Sequence, residues 1–479
     1  LNRKAEILVC RYGVDVAIYV CVKPIPVYLS GCCRIRANWS ALMRRSIFLV
    51  LTSFFVIWAV EAFWLSPSPS GDFLWVARQE GMLLTGILAL GAMTAITVLA
   101  LRPRWVESPL GGMDKAYRLH KWLGIIAIAL SLAHWLVKQS KPLIATAIGS
   151  TGRLTKVPVP EWVSLLKPYA KTLGEWTFYA LILMLVITLA RRAVPYKRWY
   201  WFHRFMPLAY LILVFHGIVL TPPGYWSGVG GWLLALTMAL GVVAAVMQLV
   251  RDLRSHYPHA GTVLSCTQLG DVLEVQCRMD DSWPGHAAGQ FAFLRLPGEK
   301  EAHPFTLSDA DQQDHVVRFH IKQLGDWTRS LPERLQPGIV VELDGPYGRF
   351  VPPDHDDGAV HVWVGAGVGA TPFLSWLGQL HHDGHAPQAW LQYACQHATD
   401  PLAQALEEAA TLHPDVRLDI FADGHRWTPK EVLQRYQADK PLQVWFCGPA
   451  SMGKQLEQAL EQSLPTASWQ LHREHFEFR

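Results

Sequence analysis

Cysteine is scarce in this chain, 8 of 479 residues, and four of the eight (Cys10, Cys21, Cys32, Cys33) fall in the first 42. That spacing excludes a disulfide-stapled scaffold, and Cys266, Cys277, Cys395 and Cys447 are expected to stay reduced thiols. A large excess of charge is missing too. Lysine and arginine outnumber aspartate and glutamate by only 43 to 39, a net charge of +4. Much of that surplus sits beside apolar runs, so a nucleic-acid partner is not indicated. What the sequence has in quantity is hydrophobic residues, 51% of the chain. They are unevenly spread: long apolar runs fill the chain up to about residue 250, and ordinary polar αβ sequence follows from His256.

A bilayer takes roughly 20 apolar residues to cross, and runs near that length occur at about 46–65, 81–101, 119–137, 175–191, 203–220 and 230–250. Six spanning helices are therefore expected. Arg44 and Arg45, Arg102, Arg104, Lys115 and Arg118, Arg191, Arg192, Lys197 and Arg198, and Arg251 and Arg254 mark four ends as cytoplasmic by the positive-inside rule. The stretch from Lys138 to Glu175, read as an outer loop, is also basic and runs against the rule. The inferred location is the plasma (inner) membrane, with the N-terminus and the polar half in the cytoplasm. Residues 1–42 match nothing that follows, and Met43 would make a normal short basic head. An over-extended reading frame is the expected explanation, with a processed leader or a genuine extension as rivals.

Histidines interrupt two of the spans. His120 and His134 are 14 residues apart, which returns to within about 40° of one helix face and separates them by roughly 21 Å along the axis. His203 and His216 are 13 apart, about 140° off a common face on an ideal helix. Pro207, which cannot donate a helical hydrogen bond, suggests a loosened turn that rotates His203 towards the third span. Both helices run outward, so the histidines lie in two pairs at matching depths. Paired imidazoles are axial ligands for b-type haem, which predicts His120 with His203 and His134 with His216. Sparse divalent-metal sites are the weaker alternative.

Strand-like runs with glycine and proline breaks predict a small antiparallel barrel over about 259–353. "VHVWVGAGVGATPFLSWL" (360–377) then reads as a buried strand, a loop carrying Gly365, Gly367 and Gly369, and a helix opened by Thr371 and Pro372. That order suits a dinucleotide pyrophosphate at a helix N-terminus. Further strand and helix alternation to the end predicts a parallel sheet.

In this order the histidine spacings, HPFTLS (303–308), GDWT (325–328), GAGVGATPF (365–373) and FCGP (446–449) resemble the ferric reductase and NADPH oxidase superfamily, from about residue 81 onward. The resemblance implies a six-helix transmembrane bundle fused to a ferredoxin-NADP reductase-like module, an antiparallel β-barrel FAD domain plus an α/β nucleotide-binding domain. The expected boundaries are 43–254, 255–355 and 356–479, after the uncertain residues 1–42. It implies that His303, Pro304, Phe305, Thr306 and Ser308 line the flavin, with His320, Lys322, Gly325 and Thr328 close by. Gly365, Gly367, Gly369, Thr371 and Pro372 would hold the dinucleotide phosphates, Cys447, Gly448 and Pro449 would sit beside the nicotinamide, and Phe476 would cover the flavin. Arg78 matches an arginine that the oxidases place near the outer haem, whereas Lys138 stands where they carry a further histidine. The implied cofactors are FAD, two b-type haems and NADPH or NADH. Gln396 and His397 stand where the family's NADPH users commonly have an arginine, which favours NADH or little preference. The expected activity is electron transfer from cytosolic NAD(P)H across the bilayer, first to a ferric chelate. Reduction of O2 to superoxide, or of a quinone or protein partner, ranks lower. A reading from another class is a membrane-tethered flavin diaphorase without haem.

Overall fold

A computed structural model describes residues 39–62, 71–110, 112–150, 152–154, 158–190, 196–254, 259–299, 301–353, 358–384 and 387–474, together with four two-residue strands before them. Those strands pair antiparallel within the unit 1–37: β1 (Ile7–Leu8) with β4 (Tyr19–Val20), and β2 (Arg11–Tyr12) with β3 (Asp15–Val16).

Six helical segments among the described residues are long and apolar enough to cross a membrane. They are α1 (Trp39–Val60), α2 (Phe73–Ala100), α4 (Met113–Gln139) continued by α5 (Lys141–Ile148), α6 (Glu161–Leu189), α7 (Tyr196–His203) continued by α8 (Met206–Leu220), and α9 (Val229–Arg254), with the short α3 (Arg104–Leu110) between the second and third spans. The number expected is the number found, but the bounds move. Most of Lys138 to Glu175 is helix: the connecting stretch shrinks to residues 149–160, and α6 starts 14 residues earlier than the apolar run at 175. Amphipathic turns carrying Lys167 and Lys171 extend that span beyond its apolar part, which a hydropathy window does not see. The kink at Pro207 is a full break. Helix α7 ends at His203, Arg204 and Phe205 form a turn, and Pro207 sits in the first turn of α8, where its missing N–H costs nothing.

After the last span the chain forms a six-stranded antiparallel sheet in the order β8-β7-β10-β5-β6-β9. Its strands are β5 (His259–Leu269), β6 (Val272–Met279), β7 (Phe291–Arg295), β8 (His303–Thr306), β9 (Val316–Lys322) and β10 (Val340–Tyr347), with α10 (Asp326–Arg334) between the last two. Alternate residues such as Val263, Leu273, Val275, Phe319 and Leu343 point into one core, as period-two patterning requires. A five-stranded parallel sheet follows, in the order β13-β12-β11-β14-β15: β11 (Val360–Ala366), β12 (Ala389–Ala394), β13 (Val416–Phe421), β14 (Leu442–Cys447) and β15 (Trp469–Arg473). Helices α11 (Thr371–Asp383), α12 (Pro401–Thr411), α13 (Lys430–Leu433) and α14 (Ala450–Ser463) make the crossovers. Strand β11 is buried along its whole length, as the central strand of a doubly covered sheet must be.

The bundle and the antiparallel sheet share a core. Val106, Leu110, Met113 and Leu119 pack with Phe291, Phe293 and Tyr347. Beside that apolar patch Asp344 of β10 accepts from Arg102, after α2, at 3.0 Å, and from Arg251 of α9. The Tyr347 hydroxyl donates to the same carboxylate at 2.7 Å, and the Arg102 guanidinium lies 3.9 Å from the centre of the Phe293 ring. Burial alone would raise the Asp344 pKa, but Arg102 and Arg251 outweigh it and hold the carboxyl below its usual range.

Candidate functional site

The second span packs on the third and the fourth on the fifth, and two pairs of imidazoles meet between the third and fifth. His120 and His203 have ring centres 6.0 Å apart with planes at 73°, at the end of the bundle near the sheets. His134 and His216 lie 6.3 Å apart at 72°, at the far end. A metal–imidazole bond of about 2 Å, plus about 1 Å from nitrogen to ring centre, counted on both sides, comes to roughly 6 Å. Both pairs therefore have the separation that one iron between two rings requires. No trio of His, Cys, Asp or Glu fit for a metal occurs among the described residues, so two-ligand haem coordination fits this donor set better than a bare metal ion.

The rings are oriented by backbone carbonyls. His120 Nδ1 lies 3.1 Å from the Ile96 carbonyl, His134 Nδ1 3.0 Å from that of Met82, and His216 Nδ1 2.8 Å from that of Ala170. A carbonyl only accepts, so Nδ1 carries the proton and, in the neutral ring, Nε2 keeps its lone pair for a metal. His203 is steadied differently, stacked on Trp199 at 4.8 Å. Gly174 of α6 makes the far pair possible, because a Cβ there would fall 2.0 Å from His216 Nδ1. A glycine inside a spanning helix is the sequence signal for such a close approach, one that hydropathy and histidine spacing do not show.

Arg78 and Lys138 come together at the far end. Arg78 donates to the Lys138 carbonyl at 3.0 Å, and the Lys138 ammonium pairs with Glu175 at 2.9 Å. Lys141, Arg153, Lys167 and Lys171, in the stretch between Lys138 and Glu175, are exposed.

In the antiparallel sheet, residues His303 to Thr306 form the edge strand β8, with Thr306 buried. His303 stacks on Trp327 at 4.0 Å and Phe305 faces the same indole at 6.1 Å. Ser308 and His320 are buried and engage each other: the hydroxyl donates to the Arg318 carbonyl at 3.1 Å and lies 2.8 Å from His320 Nδ1. Lys322 pairs with Asp271 at 3.1 Å. Thr328 accepts from the Gly325 amide at 3.0 Å, closing the first turn of α10.

At the carboxyl edge of the parallel sheet Gly365, the last residue but one of β11, is in register with Cys447, which ends β14. Gly367 has a φ of 54°, a left-handed conformation that glycine adopts without strain. A Cβ on Gly369 would sit 2.1 Å from the Cys447 carbonyl oxygen, so the loop can cross β14 only as glycine. Thr371 Oγ1 donates to the Val368 carbonyl at 2.9 Å and Pro372 occupies the first turn of α11. Gly448 and Pro449 lead from β14 into α14.

Cys447 is fully buried, and burial, with the Glu474 carboxyl close by, pushes its thiol well up. Glu474 is itself buried beside Asp114 and Lys115 of α4. Burial first and Asp114 second push its pKa well above the ordinary range. One of its oxygens has no hydrogen-bond partner among the described residues. The sequence reading missed this carboxyl, which stands two residues before Phe476. Phe476 lies outside the described residues.

Three family models cover this architecture in order: "Ferric reductase like transmembrane component" over residues 85–214, "FAD-binding domain" over 261–351 and "Oxidoreductase NAD-binding domain" over 363–458. Among curated relatives, a superoxide-generating NADPH oxidase heavy chain of Dictyostelium discoideum is 28% identical over 257 residues, 48% of this chain and 47% of that one. Human NADPH oxidase 5 is 25% identical over 351 residues, 62% of this chain and 42% of that one. Rat NADPH oxidase 1 is 33% identical over 162 residues, 33% of this chain and 26% of that one. The chain spans less than half the length of each of these relatives. With six spanning helices, two facing histidine pairs and the flavin and nucleotide modules in this sequence, the chain belongs to the ferric reductase and NADPH oxidase superfamily.

Proposed function

We propose that the protein is a transmembrane oxidoreductase that takes electrons from cytosolic NAD(P)H and delivers them through FAD and two b-type haems to a ferric chelate at the outer face. The observation that carries this reading is the pairing of four imidazoles at two depths, with ring centres 6.0 and 6.3 Å apart. When bound, these cofactors would supply the conversion of a two-electron hydride donor into single electrons, with His120, His203, His134 and His216 holding haem iron and the HPFTLS and glycine-loop residues holding flavin and nucleotide.

The chain's own residues do the positioning. Carbonyls of Ile96, Met82 and Ala170 fix the ligating tautomer of three histidines. Gly365, Gly367 and Gly369 let backbone amides approach a pyrophosphate at the α11 N-terminus. His303, Phe305 and Trp327 offer a wall of stacked rings on which a flavin fits. Burial pushes both the Cys447 thiol and the Glu474 carboxyl towards their neutral forms, which limits the negative charge next to the hydride-transfer region. Asp344, clamped by Arg102 and Arg251, holds the flavin module against the bundle.

Exposed Lys141, Arg153, Lys167 and Lys171 give the far end a positive surface suited to an anionic chelate. Reduction of O2 to superoxide is the second reading. It is favoured by Arg78, bonded to the Lys138 carbonyl four residues past His134, and by the relatives that are named superoxide-generating.

The test is an anaerobic reduced-minus-oxidised absorbance spectrum of purified protein, alongside His134→Ala in sealed vesicles. Bands of b-type haem at about two per FAD, with transmembrane reduction lost in the variant while a soluble dye is still reduced, are expected. Flavin bleaching without haem bands in freshly prepared membranes would leave a tethered diaphorase instead. Ferric citrate and O2 as acceptors then separate the two readings of the outer reaction.

A further inference from the structure

The parallel sheet tells which end of a dinucleotide lies where. Its order places β12 and β13 on one side of β11 and β14 and β15 on the other, so the crossover reverses between β11 and β14, where open sheets of this kind bind ligands. With the pyrophosphate on the loop after β11 and the nicotinamide over Cys447 on the β14 side, the adenosine half extends over the carboxyl ends of β12 and β13. Those strands are about 5 and 10 Å from β11, within reach of an adenosine ribose.

Two segments meet at that edge. Beyond β12 run Cys395, Gln396, His397 and Ala398, and beyond β13 runs Asp423, a non-glycine residue with a φ of 53°. One Asp423 oxygen accepts from the Ala398 amide at 3.0 Å, the other lies 3.1 Å from His397 Nδ1, and the Asp423 amide donates to the Gln396 carbonyl at 3.2 Å. The side chains of His397 and Asp423 remain largely exposed, 74% and 57%. The left-handed backbone, the three hydrogen bonds and the exposure together make a fixed carboxylate that still faces solvent. Its bonds to the Ala398 amide and to His397 hold its pKa below the usual range, so it is charged at neutral pH.

We propose that Asp423, braced by His397 and Ala398, makes this protein NADH-selective by holding a carboxylate where the 2'-phosphate of NADPH would lie. The proposal rests on the dinucleotide reading above. An NADH ribose presents hydroxyls, which an ionised carboxylate accepts well, whereas a 2'-phosphate brings close to two negative charges against it. At roughly 5 Å in water that repulsion is worth about a tenfold difference in binding. Of the cations in this region, Lys322 pairs with Asp271 at 3.1 Å, whereas Arg426, three residues after Asp423, is exposed.

The test uses full-length FAD-loaded protein in detergent. Calorimetric titration with NAD+ and NADP+ gives binding free of turnover, and anaerobic flavin bleaching by NADH and NADPH gives the rates. We expect the wild type to bind NAD+ the more tightly, and Asp423→Asn, which keeps an acceptor for the Ala398 amide, to shift the ratio of NADP+ to NAD+ affinity about tenfold toward NADP+. An unchanged NADP+ to NAD+ ratio in Asp423→Asn overturns the proposal. So does a wild type that prefers NADPH and loses the preference in Arg426→Ala, because the same loop would then read the phosphate through its cation. If neither nucleotide bleaches the flavin, the dinucleotide reading fails and the proposal with it.

Discussion

Replacing Gly174 by alanine singles out the far histidine pair. The new Cβ would stand 2.0 Å from His216 Nδ1, 2.5 Å from Cε1 and 2.9 Å from Cγ, where ordinary contact begins at 3.4 Å. The imidazole or the α6 backbone must therefore give way by about 1.4 Å, and α6 is a packed helix while the ring turns on two bonds. A displacement of that size is comparable with a metal–nitrogen bond of about 2 Å. It also breaks the 2.8 Å bond to the Ala170 carbonyl that fixes the tautomer. Gly86→Ala is the matched control: it approaches His134 Nδ1 only to 3.4 Å. The assay is haem per FAD by absorbance in purified protein. We expect Gly174→Ala to fall from about two haems towards one, the near pair remaining reducible by nicotinamide, and Gly86→Ala to keep both. Full haem content in Gly174→Ala, with unshifted spectra, would refute the assignment of His216 as a ligand.

Two further outcomes follow from buried charges. Asp344→Asn removes the buried carboxylate that Arg102 and Arg251 share, which costs about 3 kcal/mol. The thermal midpoint should drop and nicotinamide-driven haem reduction should slow, while reduction of a soluble dye by the flavin module continues at its former rate. Equal slowing of both reactions would show that Asp344 serves the flavin module and not its docking. Glu474 has a folded pKa raised above its unfolded value, so the folded state binds the extra proton and stability falls as pH rises above about 4.3. Glu474→Gln mimics the protonated acid. Its melting temperature should therefore exceed that of the wild type increasingly from pH 6 to pH 8, and parallel curves would contradict the buried, protonated carboxyl.

Some of this was legible from residue patterns because the physics behind it is local. Six apolar runs of bilayer length, period-two strands and a strand-glycine-helix unit each follow from the chemistry of a short window. The depth matching of His120 with His203 and His134 with His216 also needed only rise per residue and the direction of each span. Other features depend on residues far apart in the chain, and no periodicity encodes those. The break at Arg204 and Phe205 decides the azimuth of His203, which an unbroken helix would have left about 140° away from the face of His216. Gly174 matters only because α6 lies against His216, 42 positions later. Asp344 looked like any strand residue until Arg102 and Arg251 closed on it, and Asp423 until β13 lay beside β12 and brought it to His397. Sequence alone thus determined which elements form and which histidines share a depth, since helix rise, strand alternation and bilayer thickness act locally. Tertiary structure decided which side chains touch, because contact, charge pairing and steric exclusion act between segments that folding alone brings together.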